Sequence, residues 1–172
     1  PLAPKSVDSN WQVVSIDDFN GDGQNDVLWQ HTTTGQLYVW LMNGATMTSS
    51  VALPTFSSRA ATTGDFNGDG KADIILRDPA TGDLSVLFMN GTTAINSTPT
   101  WISHLGPAWT VAGAGDVNKD GKIDLICQNT STGALQVLYM NGASIQQTVP
   151  LTPSLVTASW RLKAVADFNR DG

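Results

Sequence analysis

A nine-residue pattern of Asp, Asn and Gly constrains the fold of this chain more than any other feature of its sequence. The pattern is D-x-N-x-D-G-x-x-D, and its first Asp stands at positions 18, 65, 116 and 167 of the 172 residues. Repeats spaced by about 40–50 residues belong either to propeller blades or to helical arrays. The residues between the loops therefore decide the class of fold.

Other residues keep a fixed distance from each loop. A Met-Asn-Gly triplet follows the first three loops, and a Trp stands seven residues before three of the four loops, with Ser58 in its place in the second repeat. Residues 1–11 align without gaps on 150–160. Residues 1–149 thus form three repeats, and 150–172 begin a fourth.

Each repeat is predicted to form four short β-strands. The first strand, as in 11–16, is rich in small residues, which suit the crowded centre of a propeller. The second is a continuous apolar run, as in 74–76, which is typical of a strand covered on both faces. The third ends in Asn-Gly, predicted to close a tight hairpin with positive φ at both turn positions, and the fourth strand is the least regular.

A helical array is disfavoured because β-branched residues abound and no 3.6-residue apolar period runs for ten residues. We therefore predict an all-β fold of four-stranded antiparallel propeller blades, about three blades plus the first strand of a fourth. The expected bounds are about 11–54 for blade 1, 58–106 for blade 2, 109–151 for blade 3 and 160–172 for the partial blade 4.

The repeated loop offers oxygen ligands at its positions 1, 3, 5 and 9, a backbone carbonyl at position 7 and a turn-forming Gly at position 6. Such hard ligands suit Ca²⁺ better than zinc, copper or magnesium. About one Ca²⁺ is expected per complete repeat, with Gln24, Lys71 and Lys122 binding through their carbonyls. The predicted ligands are Asp18, Asn20, Asp22, Gln24 and Asp26; Asp65, Asn67, Asp69, Lys71 and Asp73; Asp116, Asn118, Asp120, Lys122 and Asp124; and Asp167, Asn169 and Asp171.

The charge distribution supports metal loops. All fifteen acidic residues are Asp, and eleven of them lie in the four loops, so the net charge of −6 is concentrated where a cation would cancel it. The helix–loop–helix calcium hand opens in the same way but requires Glu at position 12, where this chain has Trp29, Leu76 or Cys127. The alternative without metal is a set of Asx turns. The third loop keeps every ligand while its other residues change, which favours metal.

The loop, its flanking strands and its period resemble the FG-GAP/VCBS repeats, whose relatives form the integrin α-subunit propeller. The resemblance implies a propeller with one calcium loop per blade in an extracellular, cell-surface or periplasmic setting. Two features depart from the family pattern: Ser58 replaces a Trp, and the literal Phe-Gly…Gly-Ala-Pro signature is absent. Weak calcium sites also argue for an extracytoplasmic location, because cytosolic calcium would leave them empty.

The sequence favours a non-catalytic, calcium-stabilised propeller module that binds protein or carbohydrate. Two alternatives stay open, an accessory or partial domain of a secreted enzyme and a lectin with sugar sites between blades. The carboxylates recur in every repeat, whereas an active site is normally single. His31 and His104 are expected to be exposed loop residues without a catalytic partner. There is no basic stripe for nucleic acid and no apolar run of about 18–20 residues for membrane insertion.

Single side chains give further expectations. Cys127 should be a small buried hydrophobe, and Trp29, Trp40 and Trp101 break the repeat and are candidates for a ligand surface. The tryptophans that recur before the loops are expected to pack between blades; they are Trp11, Trp109 and Trp160.

Three blades and one strand leave two open ends, because propellers close with roughly four to eight blades. Either the repeats belong to a longer array or copies of the chain associate as a homo-oligomer that completes a ring. The fourth loop lacks a position-9 residue and is expected to be empty or completed by another chain.

Overall fold

The computed structural model describes residues 9–155, 159–163 and 165, and within them all regular structure is β-strand. Three four-stranded antiparallel sheets follow one another along the chain. The first sheet, blade 1, consists of β1 (Trp11–Asp17), β2 (Asp26–His31), β3 (Leu37–Asn43) and β4 (Thr46–Ala52). The second, blade 2, consists of β5 (Arg59–Gly64), β6 (Asp73–Arg77), β7 (Asp83–Leu87) and β10 (Thr100–His104), with a small hairpin of β8 (Met89–Asn90) and β9 (Thr93–Ala94). The third, blade 3, consists of β11 (Trp109–Gly115), β12 (Asp124–Asn129), β13 (Ala134–Asn141) and β14 (Ser144–Leu155).

The first strands of the three blades lie side by side. β5 contacts β1 on one side and β11 on the other, as the innermost strands of a propeller do around its axis. Each of these strands carries a register shift halfway along its pairing with the second strand. The all-β prediction of propeller blades is confirmed, and the sheets do not close into a ring within the described residues.

The core consists of two clusters, one at each interface between neighbouring blades. The first joins residues such as Leu28 and Val39 of blade 1 to Ile74 and Leu76 of blade 2. The second joins the opposite face of blade 2, including Ile75, to blade 3. Successive side chains of a strand point to opposite faces, so β6 contributes to both clusters. This confirms that its apolar run is covered on both sides, and complete burial of such a side chain contributes about 1.5–3 kcal/mol.

The hairpins after the third strands differ from the prediction. In blade 1, Asn43 is still paired with Thr46, so the two-residue turn begins at Gly44. Gly44 has a φ of 57°, and Lys119 is the one described residue other than Gly with positive φ. The prediction of positive φ at both Asn and Gly is therefore wrong. A positive φ at the first turn residue alone is the sign pattern of a type II′ turn, which requires Gly only at that position.

Blade 2 departs from the other two blades after its third strand. The predicted strand from Leu84 to Met89 ends at Leu87, and β8 pairs with β9 as a separate hairpin. The chain then returns at Thr100, where β10 pairs with β7 as the outermost strand. The extra residues before β10 therefore replace the direct hairpin connection that the other blades have.

Candidate metal loops

The three described loops are closed by hydrogen bonds from their own backbone to their own Asp and Asn side chains. In the first loop, Asp18 Oδ1 accepts from the amide N of Gly21 (2.7 Å) and of Asp22 (3.2 Å), and Asp18 Oδ2 accepts from that of Gly23 (2.7 Å). Asp22 Oδ1 accepts from the amide N of Gln24 at 2.8 Å. The second loop repeats all of these bonds, and the third repeats those of Asp120, Gly121 and Lys122.

The amide at loop position 3 completes this arrangement. Asn20 Oδ1 accepts from the amide N of Asp22 at 3.0 Å, while Asn20 Nδ2 donates to Asp22 Oδ2 at 2.9 Å. The second and third loops make the same two bonds. The structure thus brings together the predicted ligands at positions 1, 3 and 5 and the backbone of position 7.

The Asp at position 9 has a different environment, because it is completely buried in all three loops. In the second loop, Asp73 Oδ2 accepts from the amide N of Phe66 (3.1 Å), and Asp73 Oδ1 accepts from that of Met89 (2.8 Å). The equivalent bonds link Asp26 to Phe19 and Met42, and Asp124 to Val117 and Met140. This carboxylate therefore ties the loop to the residue just before the Asn-Gly turn.

The carboxylates of one loop influence each other's ionisation. Burial, with a smaller contribution from the charge of Asp69, raises the pKa of Asp73 to about 6 against the lowering effect of its backbone amide donors. Burial likewise raises the pKa of Asp124, and the charges of Asp120 and Asp116 add to it. Position 9 thus lies close enough to the other carboxylates for repulsion, which a cation in the loop would relieve.

The backbone of the loop is left-handed at two positions. Position 6 is Gly in each loop, with a φ of 82° at both Gly70 and Gly121. Position 4 is Gly21 and Gly68 in the first two loops, but the third has Lys119 with a φ of 62°. The sequence analysis identified the turn at position 6 and missed the one at position 4, which the change from Gly to Lys hides.

The side chains at position 7, which the sequence leaves free to vary, contact the neighbouring hairpin. Gln24 Oε1 accepts from the amide N of Gly44 at 3.1 Å, and Lys71 Nζ donates to Asn90 Oδ1 at 2.5 Å. Successive loops also touch, because the amide N of Ala72 donates to the carbonyl of Asp18 at 2.9 Å. The metal loops and the hairpins therefore lie at the same end of the blades.

The donor chemistry of each loop fits calcium, with three carboxylates and one amide oxygen. Each carboxylate oxygen that accepts one N–H retains a second acceptor site. Over residues 9–155, 159–163 and 165, no three His, Cys, Asp or Glu side chains are grouped so that they could hold a metal ion. The ligands predicted in the fourth loop lie outside the described residues; they are Asp167, Asn169 and Asp171.

A second repeated site, missed by the sequence analysis, follows each second strand. Asp78 Oδ1 accepts from the amide N of Ala80 and of Thr81, at 2.8 and 3.1 Å. His31 Nδ1 and Asn129 Oδ1 make the same pair of bonds in the other two blades. These residues stand at the same distance along the chain from the loop of their repeat. This spacing identifies them, although their side chains differ.

The two histidines differ from the prediction of exposed loop residues. His31 is the half-buried last residue of β2, and its ring accepts the hydrogen bonds of the following turn, so the prediction is wrong for this residue. His104 is exposed but ends β10, where its Nδ1 lies 2.6 Å from Asp83 Oδ1. Its hydrogen bond holds the pKa of the Asp83 carboxyl below its ordinary value.

A polar side chain near the end of the second strand connects blades 2 and 3 to the repeat that follows each of them. Arg77 Nε donates to the carbonyl of Trp109 at 2.8 Å. Gln128 Nε2 donates to the carbonyl of Trp160 at 2.9 Å, and its Oε1 accepts from the amide N of Leu162 at 3.0 Å. Gln30, at the same place in blade 1, donates to Gly35 in its own blade. The bonds of Arg77 and Gln128 thus join the second strand of a blade to the start of the next repeat.

The first strands also border a cavity of about 330 Å³, which Lys163 and Val165 line on another side. Ser15 Oγ and Thr63 Oγ1 lie 2.7 Å apart, and Thr63 donates to Asp17 Oδ2 at 2.9 Å. Burial raises the pKa of Asp17. The Thr63 hydroxyl of blade 2 therefore links the Asp17 carboxylate and the Ser15 hydroxyl of blade 1 at the centre of the array.

The predictions for single apolar side chains are confirmed at some positions and wrong at another. Cys127 is buried in the cluster between blades 2 and 3, as predicted, and burial raises the pKa of its thiol to about 12. Trp109 packs against the same cluster, which confirms its interblade position. Trp160 is 71% exposed, so the prediction of a buried interblade residue is wrong for it. Trp29 and Trp40 contact each other with ring centroids 4.8 Å apart, and Trp101 is exposed.

Comparison with known families agrees with this geometry. The chain matches the FG-GAP-like repeat over residues 18–76 and again over 65–127, together well over half of its length. The chain belongs to the FG-GAP-like repeat family. Each matched unit starts at the first Asp of one loop and ends within the second strand that follows the next loop, so it contains two loops.

Two other comparisons complete this description. No curated protein and no solved structure matches the chain. Among the described residues of this FG-GAP-like array, no helix has the length and apolar character needed to cross a membrane.

Proposed function

We propose that this FG-GAP-like array is a non-catalytic, calcium-stabilised propeller module that binds protein or carbohydrate outside the cytoplasm. The observation that carries the proposal is the common geometry of three loops. Each one gathers carboxylate and amide oxygens at the same end of its blade, and a buried Asp ties the loop to the Met just before the Asn-Gly turn. Calcium would add a link between the first and second strands and reduce the repulsion between carboxylates.

One further observation and one physical argument support a scaffold whose surface does the binding. The same acidic loop occurs in every blade, so its chemistry is that of the framework. An extracellular, cell-surface or periplasmic setting supplies the millimolar calcium that sites of this class require. Protein and glycan ligands then contact side chains that differ between blades.

The lectin alternative is favoured by one observation, the exposure of Trp101. This side chain lies on the outermost strand of blade 2, where β10 pairs it with Ser85. A solvent-facing indole offers an apolar surface for stacking a sugar ring. Binding on a glycan array that Trp101→Ala abolishes and Ile95→Ala preserves would support the lectin, whereas equal binding by both variants would remove Trp101 from the site. Hydrolase or lyase activity of the chain would instead support the partial-enzyme alternative.

The calcium proposal is tested by thermal unfolding with and without a chelator. A site filled at ten times its Kd stabilises the folded state by about 1.4 kcal/mol, so three sites contribute about 4 kcal/mol. For a chain of this length we expect chelation to lower Tm by about 10 °C. An unchanged Tm, together with no heat of calcium binding in titration calorimetry, would contradict the proposal.

A matched pair of substitutions locates the effect in the loops. Asp69→Asn removes one predicted ligand charge and should reduce the calcium stoichiometry from three to two. Asp78→Asn removes the same charge from the turn after β6, where Asn129 makes the equivalent bonds in blade 3. The Asp78 variant should therefore retain three sites. Equal calcium binding by the two variants would show that the loops are not the binding sites.

A further inference from the structure

Asn-Gly pairs occur five times in the chain, two of them in the metal loops and three in the hairpins at the same end of the blades; they are 20–21, 67–68, 43–44, 90–91 and 141–142. Such a pair can react with itself, because the amide N of the Gly can attack the carboxamide carbon of the Asn. Glycine favours this attack, since it has no Cβ and reaches backbone conformations that other residues rarely adopt. Hydrogen bonds to either group determine which pairs react.

Both pairs in the metal loops are restrained at the attacking and the attacked group. In the first loop, the amide N of Gly21 donates to Asp18 Oδ1 at 2.7 Å. The side chain of Asn20 accepts from the amide N of Asp22 at 3.0 Å and donates to its Oδ2 at 2.9 Å. The second loop makes the same three bonds. The carboxamide of each loop therefore cannot turn towards the Gly without opening the loop.

The hairpin pairs of blades 1 and 2 are restrained by the side chain at position 7 of their own metal loop. In blade 1, the amide N of Gly44 donates to Gln24 Oε1 at 3.1 Å, which engages the attacking group. In blade 2, Lys71 Nζ donates to Asn90 Oδ1 at 2.5 Å, which holds the attacked group. Turning this carboxamide over the following nitrogen requires breaking a charge-assisted hydrogen bond. One side chain in each blade thus opposes the reaction.

The hairpin of blade 3 has neither restraint. Within the described part of the chain, no side chain bonds to the carboxamide of Asn141 or to the amide N of Gly142, although Lys122 occupies position 7. In blades 1 and 2 the restraint comes from the same blade, so the equivalent contact here would fall among described residues. Asn141 is exposed, and Gly142 has a φ of 62°. The turn therefore presents an unrestrained Asn-Gly pair to water.

We propose that Asn141 is a site of spontaneous deamidation, with water as co-reactant and hydroxide as catalyst. Hydroxide removes the proton from the amide N of Gly142, and this nitrogen attacks Cγ of Asn141. The new C–N bond closes a succinimide ring, and the carboxamide nitrogen takes a proton from water and leaves as ammonia, which regenerates hydroxide. Water then opens the ring at either carbonyl. One water is consumed, one ammonia is released, and an aspartyl or isoaspartyl residue results.

The reaction changes the end of blade 3 that carries the third metal loop. Either product adds a negative charge where Asn141 was neutral. The isoaspartyl product also inserts a methylene into the main chain of a tight turn, and Asn141 is paired with Ser144 across that turn. Hairpin register depends on the length of the turn. Conversion should therefore loosen the last pairs of β13 and β14 and lower the Tm of the aged protein.

Ageing the purified protein at mildly alkaline pH, followed by peptide mapping with mass spectrometry, measures all five pairs in one sample. Replacement of NH2 by OH raises the mass of the peptide, and digestion at mildly acidic pH stops the reaction. We expect conversion at Asn141 to be about tenfold faster than at any other pair, a difference of about 1.4 kcal/mol in barrier height. A rate at Asn141 no higher than at Asn43 or Asn90 would overturn the inference.

Ageing in urea separates the effect of the fold from that of the local sequence. Unfolding removes the restraints, so all five pairs should then react at similar rates. A preference for Asn141 that persists in urea would come from its sequence neighbours, and the structural explanation would be wrong. Asn141→Gln in the folded protein should abolish both the mass increase and the loss of Tm on ageing. A loss of Tm that persists in this variant would contradict the effect assigned to the turn.

A matched pair of lysine substitutions tests the restraint by position 7. Lys71→Met removes the hydrogen bond to Asn90 and should accelerate conversion of Asn90 to about the rate of Asn141. Lys122→Met changes the equivalent side chain of blade 3, which does not bond to Asn141, and should leave the rate there unchanged. If Asn90 stays slow in the Lys71 variant, hydrogen bonding is not what separates the hairpins and the inference fails.

Discussion

At the residue scale, the loops and turns are organised by side-chain acceptors that satisfy backbone N–H groups. The Asp carboxylate at position 1 of each described loop accepts hydrogen bonds from two or three backbone amides. In the turn after the second strand, His31, Asp78 and Asn129 perform the same task with different chemistry. The repeat thus requires a hydrogen-bond acceptor at this position, and a His, an Asp or an Asn side chain provides it.

A Gly→Ala pair tests the left-handed turn of the third loop. Gly121→Ala should destabilise the protein by about 1–2 kcal/mol, because its φ of 82° strains any residue with a Cβ although no atom lies within 4 Å of that Cβ. Gly115→Ala is the control. It lies in the extended strand β11, its added Cβ would meet Val165 at 3.6 Å, and it should be neutral or stabilising by up to about 1 kcal/mol. Urea denaturation gives both values, and equal losses would contradict the strain.

The Asp83–His104 pair predicts a local pH dependence. The hydrogen bond to His104 lowers the pKa of Asp83 below 3.8 in the folded state. The stability that this carboxylate contributes is therefore present above pH 3.8 and is lost as the pH falls through the lowered pKa. His104→Gln should return the pKa of Asp83 towards 3.8 in a carboxyl titration followed by NMR. If the pKa of Asp83 is the same in the wild type and in the His104→Gln variant, the hydrogen bond to His104 is not what lowers it.

At the element scale, one buried carboxylate per repeat links three pieces of chain. The Asp at position 9 starts the second strand and, in blade 1, binds both the loop and the third strand, as Asp26 does with Phe19 and Met42. Arg77 and Gln128 then connect the far end of their strands to the next repeat. In blades 2 and 3 the second strand is therefore the element that joins the Asp/Asn loop, its own blade and the following repeat.

The structural role of position 9 can be separated from metal binding by measuring stability in chelator. Asp73→Ala leaves the buried N–H groups of Phe66 and Met89 without an acceptor, and each such loss costs about 1–3 kcal/mol. We expect a loss of about 2–4 kcal/mol in urea denaturation without calcium. Asp69→Ala, at an exposed position of the same loop, should cost less than about 1 kcal/mol under these conditions because water replaces the lost acceptor. Similar losses for the two variants would mean that Asp73 acts only through calcium.

At the scale of the whole molecule, the blades are held together by the interfaces between them. Among the described residues, one core cluster joins blades 1 and 2 and the other joins blades 2 and 3. Blade 2 therefore contributes to both clusters. In such arrays stability is approximately a sum of repeat terms and nearest-neighbour interface terms. Blade 2 is therefore the unit whose loss separates the other two.

Neighbouring residues of β6 should report on different interfaces. Ile74→Ala opens a cavity between blades 1 and 2, whereas Ile75→Ala opens one between blades 2 and 3, and each should cost about 2–5 kcal/mol. Native-state hydrogen exchange distinguishes them. The first should accelerate exchange mainly in blade 1 and the second mainly in blade 3. Uniform acceleration by both variants would indicate that the three blades unfold as one unit.

The sequence by itself determined the repeat, the four-stranded blade and the loop that connects the first two strands, because each depends on residues close together in the chain. The spacing of Asp, Asn and Gly specifies local turns, and apolar runs specify strands. Family membership follows from the same short-range pattern. The calcium ligands are predicted from the same pattern, because their oxygen donors stand at fixed spacings within each loop.

Only the tertiary structure decided which apolar faces are covered. Trp29 and Trp40 differ from their counterparts in the repeat and suggest a ligand surface, whereas their counterparts in blades 2 and 3 pack against the preceding blade. Trp109 and Trp160 occupy the same position of the repeat. Trp109 packs against an interblade cluster, whereas Trp160 faces solvent. Burial depends on which sheet lies opposite a side chain, and that neighbour is about 50 residues away in the next repeat. The local sequence pattern determines which side chains share one face of a blade. The stacking of the blades determines what covers that face.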